Sequence, residues 1–452
     1  MSGPTGAGLA YRRPMARWLE QRFAIRTAGS AVRVEVIGGA TTFMTMAYIL
    51  FVNGMVLAGA GLDPGQVLTA TALVAGVMTI AMGLATNYPF AIAPGMGINA
   101  AVAGSLVVVQ GLSPAEAMGV VVAEGVAITF LVLVGVREAI VDAIPRSLQR
   151  AIGAGIGLFL ALIGLASGGL VVRANVPGPV PVVHMGDLKS PQTIVFLVGL
   201  LLALVLTVRR VRGGLLIAIV GATALAMLIG ERQPPTAIVS APDFGLLGEV
   251  SFGFVAKLGL LGAALAVFSL MLSDFFDTVG TALGLGAQAG FVDEDGRLPR
   301  MKRVLMVDSL AALAGGLAST SSATTYIESA SGIADGARTG LASVVTGLLF
   351  LAAMFLAPLA GVVPPEATAS ALVVVGFLMA SGLSDIDWRD FPHAAPAFLT
   401  AILMPFTWSI SNGIGVGVIA HVLLMTAAGR FREVHVLLWV VAAAFAAFFA
   451  LA

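Results

Sequence analysis

Long apolar runs separated by short polar or charged stretches divide the chain into regular segments. A run of about 20 apolar residues is long enough to cross the hydrocarbon core of a bilayer as a helix. Fourteen such runs lie at 36–59, 66–86, 92–109, 115–136, 149–169, 191–208, 213–230, 252–286, 302–318, 326–336, 339–360, 366–381, 396–410 and 413–428. They predict an all-α polytopic membrane protein with about 14 transmembrane spans. A further apolar stretch at 434–452 predicts an extra C-terminal hydrophobic helix, either an added span or a helix packed at the interface.

The composition also indicates a membrane protein, and it limits the kinds of functional site that the chain can form. The chain is 58% hydrophobic and 11% charged, with a mean hydropathy of +1.01, whereas soluble domains carry about 25% charged residues. It contains no cysteine, which excludes disulfides and thiolate metal ligands. The four histidines have no metal-ligand spacing, and no nucleophile–base set is visible. We therefore predict no metal, cofactor or nucleic-acid partner, and a protein that is not an enzyme.

The positions of the positive charges predict an orientation. With the N-terminus in the cytoplasm, all but four of the 24 Lys and Arg residues fall on the cytoplasmic side. The exceptions are Arg173, Lys189, Arg232 and Lys257. Because cytoplasmic loops of membrane proteins are enriched in Lys and Arg, residues 1–32 are interpreted as a cytoplasmic N-terminal segment. The protein is expected in the cell (inner) membrane as a multi-pass protein.

Two segments differ from ordinary spans because an extended piece interrupts each of them. Asn87–Ala103 has a short β-favouring piece, a Pro-Gly break and then a helix of small residues. Ala318–Asp335 has a Ser/Thr-rich extended piece followed by a helix start near Tyr326. Interrupted segments at corresponding positions of two halves indicate the binding site of a transporter. The two lie about half a chain apart, so a seven-plus-seven inverted repeat is the hypothesis, with extended segments in spans 3 and 10.

Three carboxylates lie inside apolar runs and are the main candidates for chemistry. Asp274 and Asp277 lie in the eighth run and Glu328 lies in the tenth. A charged group at membrane depth costs roughly 2.5–3.5 kcal/mol on insertion scales, so it usually faces a cavity, a partner or a ligand. Asp274 and Asp277 are three residues apart and share a helix face. Glu328 and Asn99 each follow a break, and together these groups suit the hydrogen-bonding edge of a flat polar ligand.

Structural roles for the same residues remain open at this stage. Asp274 and Asp277 are alternatively a pair bonded to the neighbouring Thr278 and Thr281 hydroxyls. Glu328 alternatively only caps the start of a helix. Too few oxygen ligands accompany these acids for a bare cation such as Mg²⁺.

Other polar and aromatic residues within the spans have weaker functional interpretations. Asn99 alternatively serves packing, and Glu124 in span 4 is interpreted as a structural partner. Asp308 in span 9 is expected near the cytoplasmic end, as a solvated or paired charge. Among the aromatics able to stack on a ligand, such as Tyr48, only Tyr326 is favoured, because it lies two residues before Glu328.

The residues around these candidates resemble a known family. The matching motifs are SDFFDTVGTALGL at Ser273–Leu285, APGMGINA at Ala93–Ala100, SSATTYIESASGI at Ser321–Ile333 and MPFTWSISNGI at Met404–Ile414. They resemble the adenine/guanine/hypoxanthine permease (AzgA-like) branch of the second nucleobase–cation symporter family. The likeness runs from about residue 38 to residue 433, which is nearly the whole chain.

The resemblance implies a domain organisation. Fourteen spans in two inverted repeats would form a core domain from spans 1–4 and 8–11, and a gate domain from spans 5–7 and 12–14. In this sequence the core would comprise residues 33–136 and 252–360, and the gate residues 137–230 and 366–428. Residues 434–452 would be the extra helix.

The resemblance also implies roles for the candidate residues. Asp274 and Glu328 would hold the base, and Asn99 would assist them. Tyr326 and Ile327, directly before Glu328, complete the expected substrate-binding set. Proton coupling would rest on Asp277, with Asp274 and Glu328 as further candidates. This chain lacks the histidine that relatives often have in span 8, so the proton carrier would be a carboxylate or the base itself.

The sequence thus predicts a proton-coupled symporter that imports adenine, guanine or hypoxanthine by alternating access. The alternative is a uracil or xanthine permease, or another carrier of the same fold such as an anion carrier. A carboxylate facing the site argues against an anion. A channel and a membrane enzyme are the alternatives from other classes, and broken helices in repeats favour a carrier. A homodimer is expected by resemblance only.

Overall fold

The computed structural model describes residues 13–135, 144–173, 183–235, 237–293 and 297–451. Residues 1–12 of the predicted cytoplasmic segment lie outside this part of the chain, as do Glu294 and Asp295 of the acidic loop before span 9.

The first half of the chain supplies seven spans and an N-terminal helix. The elements are α1 (Arg13–Phe23), α2 (Val32–Met46), α3 (Ile49–Ala58), α4 (Pro64–Thr86), β1 (Ile92–Pro94), α5 (Met96–Ala100), α6 (Pro114–Val134), α7 (Arg146–Ser167), β2 (Val171–Arg173), β3 (Val183–Met185), α8 (Pro191–Val208) and α9 (Gly214–Leu228). Helices α2 and α3 together form span 1. β1, α5 and a π-helical continuation to Val109 form span 3. The remaining helices α4 and α6 to α9 are spans 2 and 4 to 7.

The second half repeats this arrangement. Its elements are α10 (Phe254–Ala289), α11 (Met301–Leu317), β4 (Ala323–Thr325), α12 (Ser329–Ala334), α13 (Gly340–Ala353), α14 (Ala357–Ala360), α15 (Pro365–Ala380), α16 (Phe391–Thr407), α17 (Ile410–Ala427) and α18 (Val436–Leu451). β4 and α12 form span 10, and α13 with α14 forms span 11. Span 13 begins at Phe391, five residues before the predicted start, because Asp390 and Pro392 begin the helix there.

Nine of the described helices are long and apolar enough to cross a membrane by length and composition. The other five spans are shorter or interrupted, namely spans 3, 7, 9, 10 and 13. The two interrupted spans meet at their extended pieces. β1 pairs with β4 in an antiparallel two-stranded sheet, with Ile92 opposite Thr325 and Pro94 opposite Ala323. Every residue of both strands is buried. Each strand therefore supplies hydrogen-bond partners for the backbone N–H and C=O groups of the other, which lipid cannot supply.

Helix packing follows a two-fold pattern between the halves. Span 2 packs on span 11, and span 9 packs on span 4. Span 1 also packs on span 11, and span 8 packs on span 4. Replacing each span by its counterpart seven positions away in the other half converts one set of contacts into the other. In two further contacts, span 5 against span 12 and span 3 against span 10, a span packs on its own counterpart. This exchange is what a seven-plus-seven repeat requires.

Two bundles result from these contacts. We call spans 1–4 and 8–11 the first bundle, and spans 5–7 and 12–14 the second bundle. Within each bundle, backbones approach closely at paired glycines. An added Cβ on Gly83 of α4 would lie 2.4 Å from the carbonyl oxygen of Gly340. In the second bundle a Cβ on Gly157 of α7 would lie 2.6 Å from the carbonyl oxygen of Gly376 in α15. Small residues permit this packing where no hydrophobic effect drives helices together.

The ends of the spans define two faces. Helix α1 packs at one end of the molecule, where Phe23 and Ile25 contact Leu341 at the start of α13. We call this end the N-terminal face. Odd-numbered spans begin there and even-numbered spans end there. The last helix, α18, packs against α17 and α10, with Phe445 against Gly415 and Phe448 against Gly262.

Candidate functional site

The paired breaks in spans 3 and 10 are joined by side chains as well as by strand hydrogen bonds. The Tyr326 backbone N–H donates to the Ala91 carbonyl oxygen over 2.9 Å, and its hydroxyl donates to the Pro94 carbonyl oxygen over 2.6 Å. The Gly95 N–H donates to the Ser322 carbonyl oxygen over 2.8 Å. These contacts hold both breaks as one rigid unit at the middle of the first bundle.

A cavity opens beside this unit, between the two bundles. The second bundle lines it with Val375 and Met379 of α15. The first bundle lines it with Tyr48, Met96, Gly97, Asp277, Thr281 and Thr325–Glu328. A larger cavity of about 550 Å³ adjoins it, and Asp277, Thr281 and Met379 line both. The larger cavity extends to Gln149 and Arg150 at the start of α7 and to Asp385 after α15. The site therefore communicates with the N-terminal face.

Two carboxylates face the cavity, Asp277 from span 8 and Glu328 from span 10. The Tyr48 hydroxyl donates a hydrogen bond of 2.6 Å to Oε1 of Glu328. Glu328 occupies the N-cap position of α12 without a side-chain capping hydrogen bond. Its carboxylate is thus oriented by Tyr48 toward the cavity rather than engaged in capping the helix.

Asp274 and Asn99, which the sequence also assigned to the site, lie behind the cavity wall. Both are fully buried, and neither is among the residues lining the two cavities. The Asn99 amide makes no hydrogen bond to any described residue. Its neighbours Met96 and Gly97, one turn closer to the break, form the wall instead.

Tyr326 and Ile327 do line the cavity, as the sequence predicts. Tyr326 is 6% exposed, whereas Ile327 is 53% exposed although it lies at the centre of the molecule. Such exposure of a large apolar side chain arises because Ile327 faces the open cavity. With Met96, Val375 and Met379 it gives the site an apolar lining beside its acidic groups.

The sequence suggested that Asp308 is a solvated or paired charge near the cytoplasmic end of span 9, and the structure shows that its solvation was wrongly predicted. Asp308 is fully buried. Its carboxylate accepts hydrogen bonds from the Thr278 hydroxyl over 2.5 Å, from the Thr325 N–H over 2.9 Å and from the Thr325 hydroxyl over 3.0 Å. Thr278 neighbours Asp277, and Thr325 lines the cavity. Asp308 therefore ties span 8 to β4 and positions both cavity-facing carboxylates relative to each other.

Sequence reasoning undervalued Tyr48 and Asp308. A signal for Asp308 was present, since it is an acid within an apolar span close to the Ser/Thr-rich strand that donates to it. No local signal identifies Tyr48, because its partner Glu328 is 280 residues away along the chain.

The arrangement suits a flat ligand that carries N–H donors at its edge. Ionised carboxylates only accept hydrogen bonds, so Asp277 and Glu328 would receive such donors. The apolar lining and the Tyr326 ring would cover the faces of the ligand. A site with a few convergent polar groups in an apolar cavity is typical of small-molecule recognition.

Comparisons with known proteins agree with this geometry. A family model described as "Permease family" matches residues 33–416. The chain is 41% identical to the adenine permease AdeQ of Escherichia coli over 95% of this chain and 95% of that protein. It is 39% identical to the guanine/hypoxanthine permease PbuG of Bacillus subtilis over 92% of this chain and 96% of that protein.

Solved structures share the fold at low sequence identity. The transmembrane domain of the cyanobacterial bicarbonate transporter BicA matches with a TM-score of 0.65 and 16% identity, over 84% of this chain and 97% of that chain. The murine anion transporter Slc26a9 in its inward-facing state matches with a TM-score of 0.62 and 15% identity, over 95% and 73% of the two chains. The predicted fold class, a polytopic all-α protein of seven plus seven inverted spans, is confirmed. The chain is thus a multi-pass membrane transporter rather than an enzyme, and it belongs to the permease family, in the group that includes the adenine and the guanine/hypoxanthine permeases.

Proposed function

We propose that this protein is a proton-coupled symporter that imports purine nucleobases by alternating access. The single observation that carries the proposal is the pair of carboxylates, Asp277 and Glu328, on one wall of a cavity between the bundles. Purine bases present ring and exocyclic N–H donors along one edge. The names of the relatives, adenine permease and guanine/hypoxanthine permease, support this class of substrate.

The geometry favours Asp277 over Asp274 as the carboxylate that meets the base. Asp277 lines both cavities, whereas Asp274 lies about one turn earlier in α10 and is fully buried. The family resemblance instead implies that Asp274 holds the base and that Asp277 couples the proton. We now propose that Asp277 and Glu328 hold the base, with Asp274 and Asn99 supporting the wall behind them.

The two bundles would act as the core and gate domains, with the boundaries predicted from the sequence. The cavity is open toward the N-terminal face, where Arg22, Arg26, Arg300, Lys302 and Arg303 lie. This excess of positive charge supports placing that face in the cytoplasm, and the molecule would then have the inward-open form of the transport cycle. The cell (inner) membrane is the proposed location.

Proton coupling would use the same carboxylates. Two ionised acids on one cavity wall repel each other, so a proton would bind to one of them while the other stays ionised and accepts an N–H group of the base. The protonated acid would donate a hydrogen bond to a ring nitrogen of the base, so that base and proton favour each other's binding. A proton released from one of them on the inward side would then accompany release of the base. The absence of a histidine from span 8 leaves a carboxylate or the base itself to carry that proton.

The test is uptake of labelled adenine into proteoliposomes, with adenine, guanine, hypoxanthine, xanthine and uracil as competitors. Adenine, guanine and hypoxanthine should compete best, and uracil should not compete. If uracil or xanthine competed best, the alternative of a uracil or xanthine permease would replace the proposal. Uptake should rise with an inward proton gradient and collapse with a protonophore, and uptake that followed sodium and ignored pH would remove the proton mechanism.

A matched pair of variants tests the site. Asp277→Asn should weaken equilibrium binding of adenine about tenfold to a hundredfold, since a hydrogen bond to a charged group contributes about 1.5–3 kcal/mol. Asp274→Asn, three residues away on the same helix, should change binding only a few-fold. The opposite ranking, measured by calorimetry on the purified proteins, would return the binding role to Asp274.

A further inference from the structure

A second cavity, of about 310 Å³, lies on the N-terminal face and is separate from the site described above. It is enclosed by the end of α1, the end of α4 and the segments before α11 and α13. Its walls include Phe23, Tyr88, Phe291, Arg300 and Arg338. No residue lines both this cavity and either of the two cavities of the transport site.

The described residues that line this cavity carry a net positive charge. Arg300 and Arg338 face it, and none of its lining residues within the described ranges is acidic. Arg300 donates through Nη1 to the Thr86 carbonyl oxygen over 2.6 Å. Arg338 donates through Nη1 to the Ile333 and Ala337 carbonyl oxygens, each over 2.7 Å. A guanidinium has five N–H donors, so these bonds fix each group and leave further donors for a ligand.

Acids of the described chain near this cavity accept hydrogen bonds from backbone groups. The Glu20 carboxylate accepts from the Arg26 N–H, with both oxygens 3.2 Å from that nitrogen. Glu35 accepts hydrogen bonds from the backbone N–H groups of Arg338 and Thr339, over 2.9 Å and 3.2 Å, and it is fully buried. Asp293 accepts from the Arg297 N–H over 2.7 Å within its own exposed loop. In the portion of the chain that the structure describes, no carboxylate lies within 4 Å of the Arg300 or Arg338 guanidinium.

The aromatic walls hold the shape of the cavity. Tyr88 and Phe291 stack with ring centroids 4.8 Å apart, and the Arg300 guanidinium carbon lies 5.6 Å from the Tyr88 centroid. Asn87 donates to the Phe23 carbonyl oxygen over 2.9 Å and accepts from the Gly340 N–H over 2.9 Å. These bonds attach the end of α1 to α13 across the cavity, which is therefore a built pocket rather than a gap between loops.

The location of the cavity points to the membrane surface. It lies at the ends of the spans, and α1 beside it exposes Trp18, which is 55% exposed. Tryptophan is enriched at the boundary between lipid and water. Basic pockets between spans at this level bind the phosphates of anionic lipids.

We propose that this cavity binds a phosphate group, supplied by the headgroup of an anionic phospholipid, between Arg300 and Arg338. The phosphate would accept charge-assisted hydrogen bonds from both guanidinium groups. Binding would join α1 to spans 2, 9 and 11 and stabilise the first bundle at this face. Because a soluble phosphate ester offers the same chemistry, the experiment separates the two sources.

The experiment measures thermal unfolding of the full chain in lipid nanodiscs and in detergent. Nanodiscs of phosphatidylcholine alone are compared with nanodiscs that contain phosphatidylglycerol, and inorganic phosphate and ATP are titrated into the detergent sample. Phosphatidylglycerol should raise the midpoint of unfolding of the wild type. The double variant Arg300→Gln/Arg338→Gln should lose this increase and should need at least about tenfold more phosphatidylglycerol for the same effect.

Two further variants keep the result interpretable. Arg303→Gln is the matched control, because Arg303 also bonds a carbonyl at the end of α4, that of Ala85 over 3.5 Å, without lining the cavity. It should respond to phosphatidylglycerol as the wild type does. Thr27→Glu places a negative charge at an exposed position of the lining and removes none of the arginine bonds. It should abolish the response even if the double variant fails to fold.

Each outcome bears on the proposal. A phosphatidylglycerol response that Thr27→Glu removes supports a lipid site. A response to phosphate or ATP alone, removed by the same variant, supports the phosphate site and replaces its proposed lipid source. Equal responses of wild type and Thr27→Glu, or no response to any probe, would overturn the inference.

Discussion

The hydrogen bond from Tyr48 to Glu328 allows a direct test of how the cavity-facing carboxylate is positioned. Tyr48→Phe removes only the hydroxyl that donates to Oε1 of Glu328 over 2.6 Å. Tyr48 is 1% exposed, so the substitution leaves the outer surface of the protein unchanged. The ring stays in place, and packing around it is preserved.

The magnitude follows from the type of bond. A hydrogen bond to a charged group contributes about 1.5–3 kcal/mol, which corresponds to about tenfold to 150-fold in a binding constant. The hydrogen bond is present before the base binds. Part of the free energy lost with it therefore destabilises the unliganded protein and does not weaken binding. We therefore expect Tyr48→Phe to raise the Kd for adenine about tenfold, at the lower end of this range.

Tyr326→Phe is the matched control. Tyr326 also lines the cavity and also donates a 2.6 Å hydrogen bond, but its acceptor is the Pro94 carbonyl oxygen. This variant should lower thermal stability, because it leaves a buried carbonyl without that donor, at a cost of about 1–3 kcal/mol. Its Kd for adenine should stay within about threefold of the wild type.

The assay is calorimetric titration of adenine into each purified protein, with thermal unfolding measured in parallel. If Tyr48→Phe bound adenine as tightly as the wild type, Glu328 would not depend on Tyr48 for its role in the site. If both variants weakened binding equally, the effect would come from general loosening of the wall and not from the carboxylate.

Three further predictions concern other parts of the molecule. Asp308→Ala should reduce both thermal stability and adenine affinity, because it removes the acceptor that joins span 8 to β4, and retained affinity in a folded protein would contradict this positioning role. Arg212, between α8 and α9, forms an ion pair with Asp335 at the end of α12. Arg212→Gln should shift the population away from the form whose cavity is open to the N-terminal face. The measurement is the labelling, from the N-terminal face, of a cysteine introduced into the cavity of this cysteine-free chain. The hydrogen bond from Arg430 holds the pKa of Asp390 below its usual range. The bond therefore stabilises the fold fully when the pH is above the usual pKa of an aspartate, and this stabilisation is lost as the pH falls through the lowered pKa. Arg430→Gln should therefore reduce the unfolding midpoint at pH 7, and the difference from wild type should narrow below about pH 4.

Much of the fold was determined locally and could be predicted. A span needs only a sufficient length of apolar residues, because lipid forces each segment to satisfy its own backbone. The two exceptions were also visible, since the Pro94-Gly95 break and the Ser/Thr-rich stretch before Tyr326 cannot form ordinary spans. Their pairing as β1 and β4 is a finding of the structure, in which each strand supplies hydrogen-bond partners for the backbone of the other.

The identity of the cavity-facing groups was only partly predictable. The sequence marked Asp274, Asp277 and Glu328, because charges at membrane depth are rare and costly. It could not rank Asp274 against Asp277. Residues three apart share a helix face, yet the wall of the cavity passes between them, with Asp277 lining it and Asp274 buried.

By itself the sequence determined the number of spans, the positions of the breaks and the acids within the membrane, because each depends on a short stretch of chain. Only the tertiary structure decided which acid faces the cavity, that Tyr48 orients Glu328 and that Asp308 joins span 8 to β4. These contacts link residues up to 280 positions apart. They depend on how the two halves pack against each other, and no local pattern of residues records that packing.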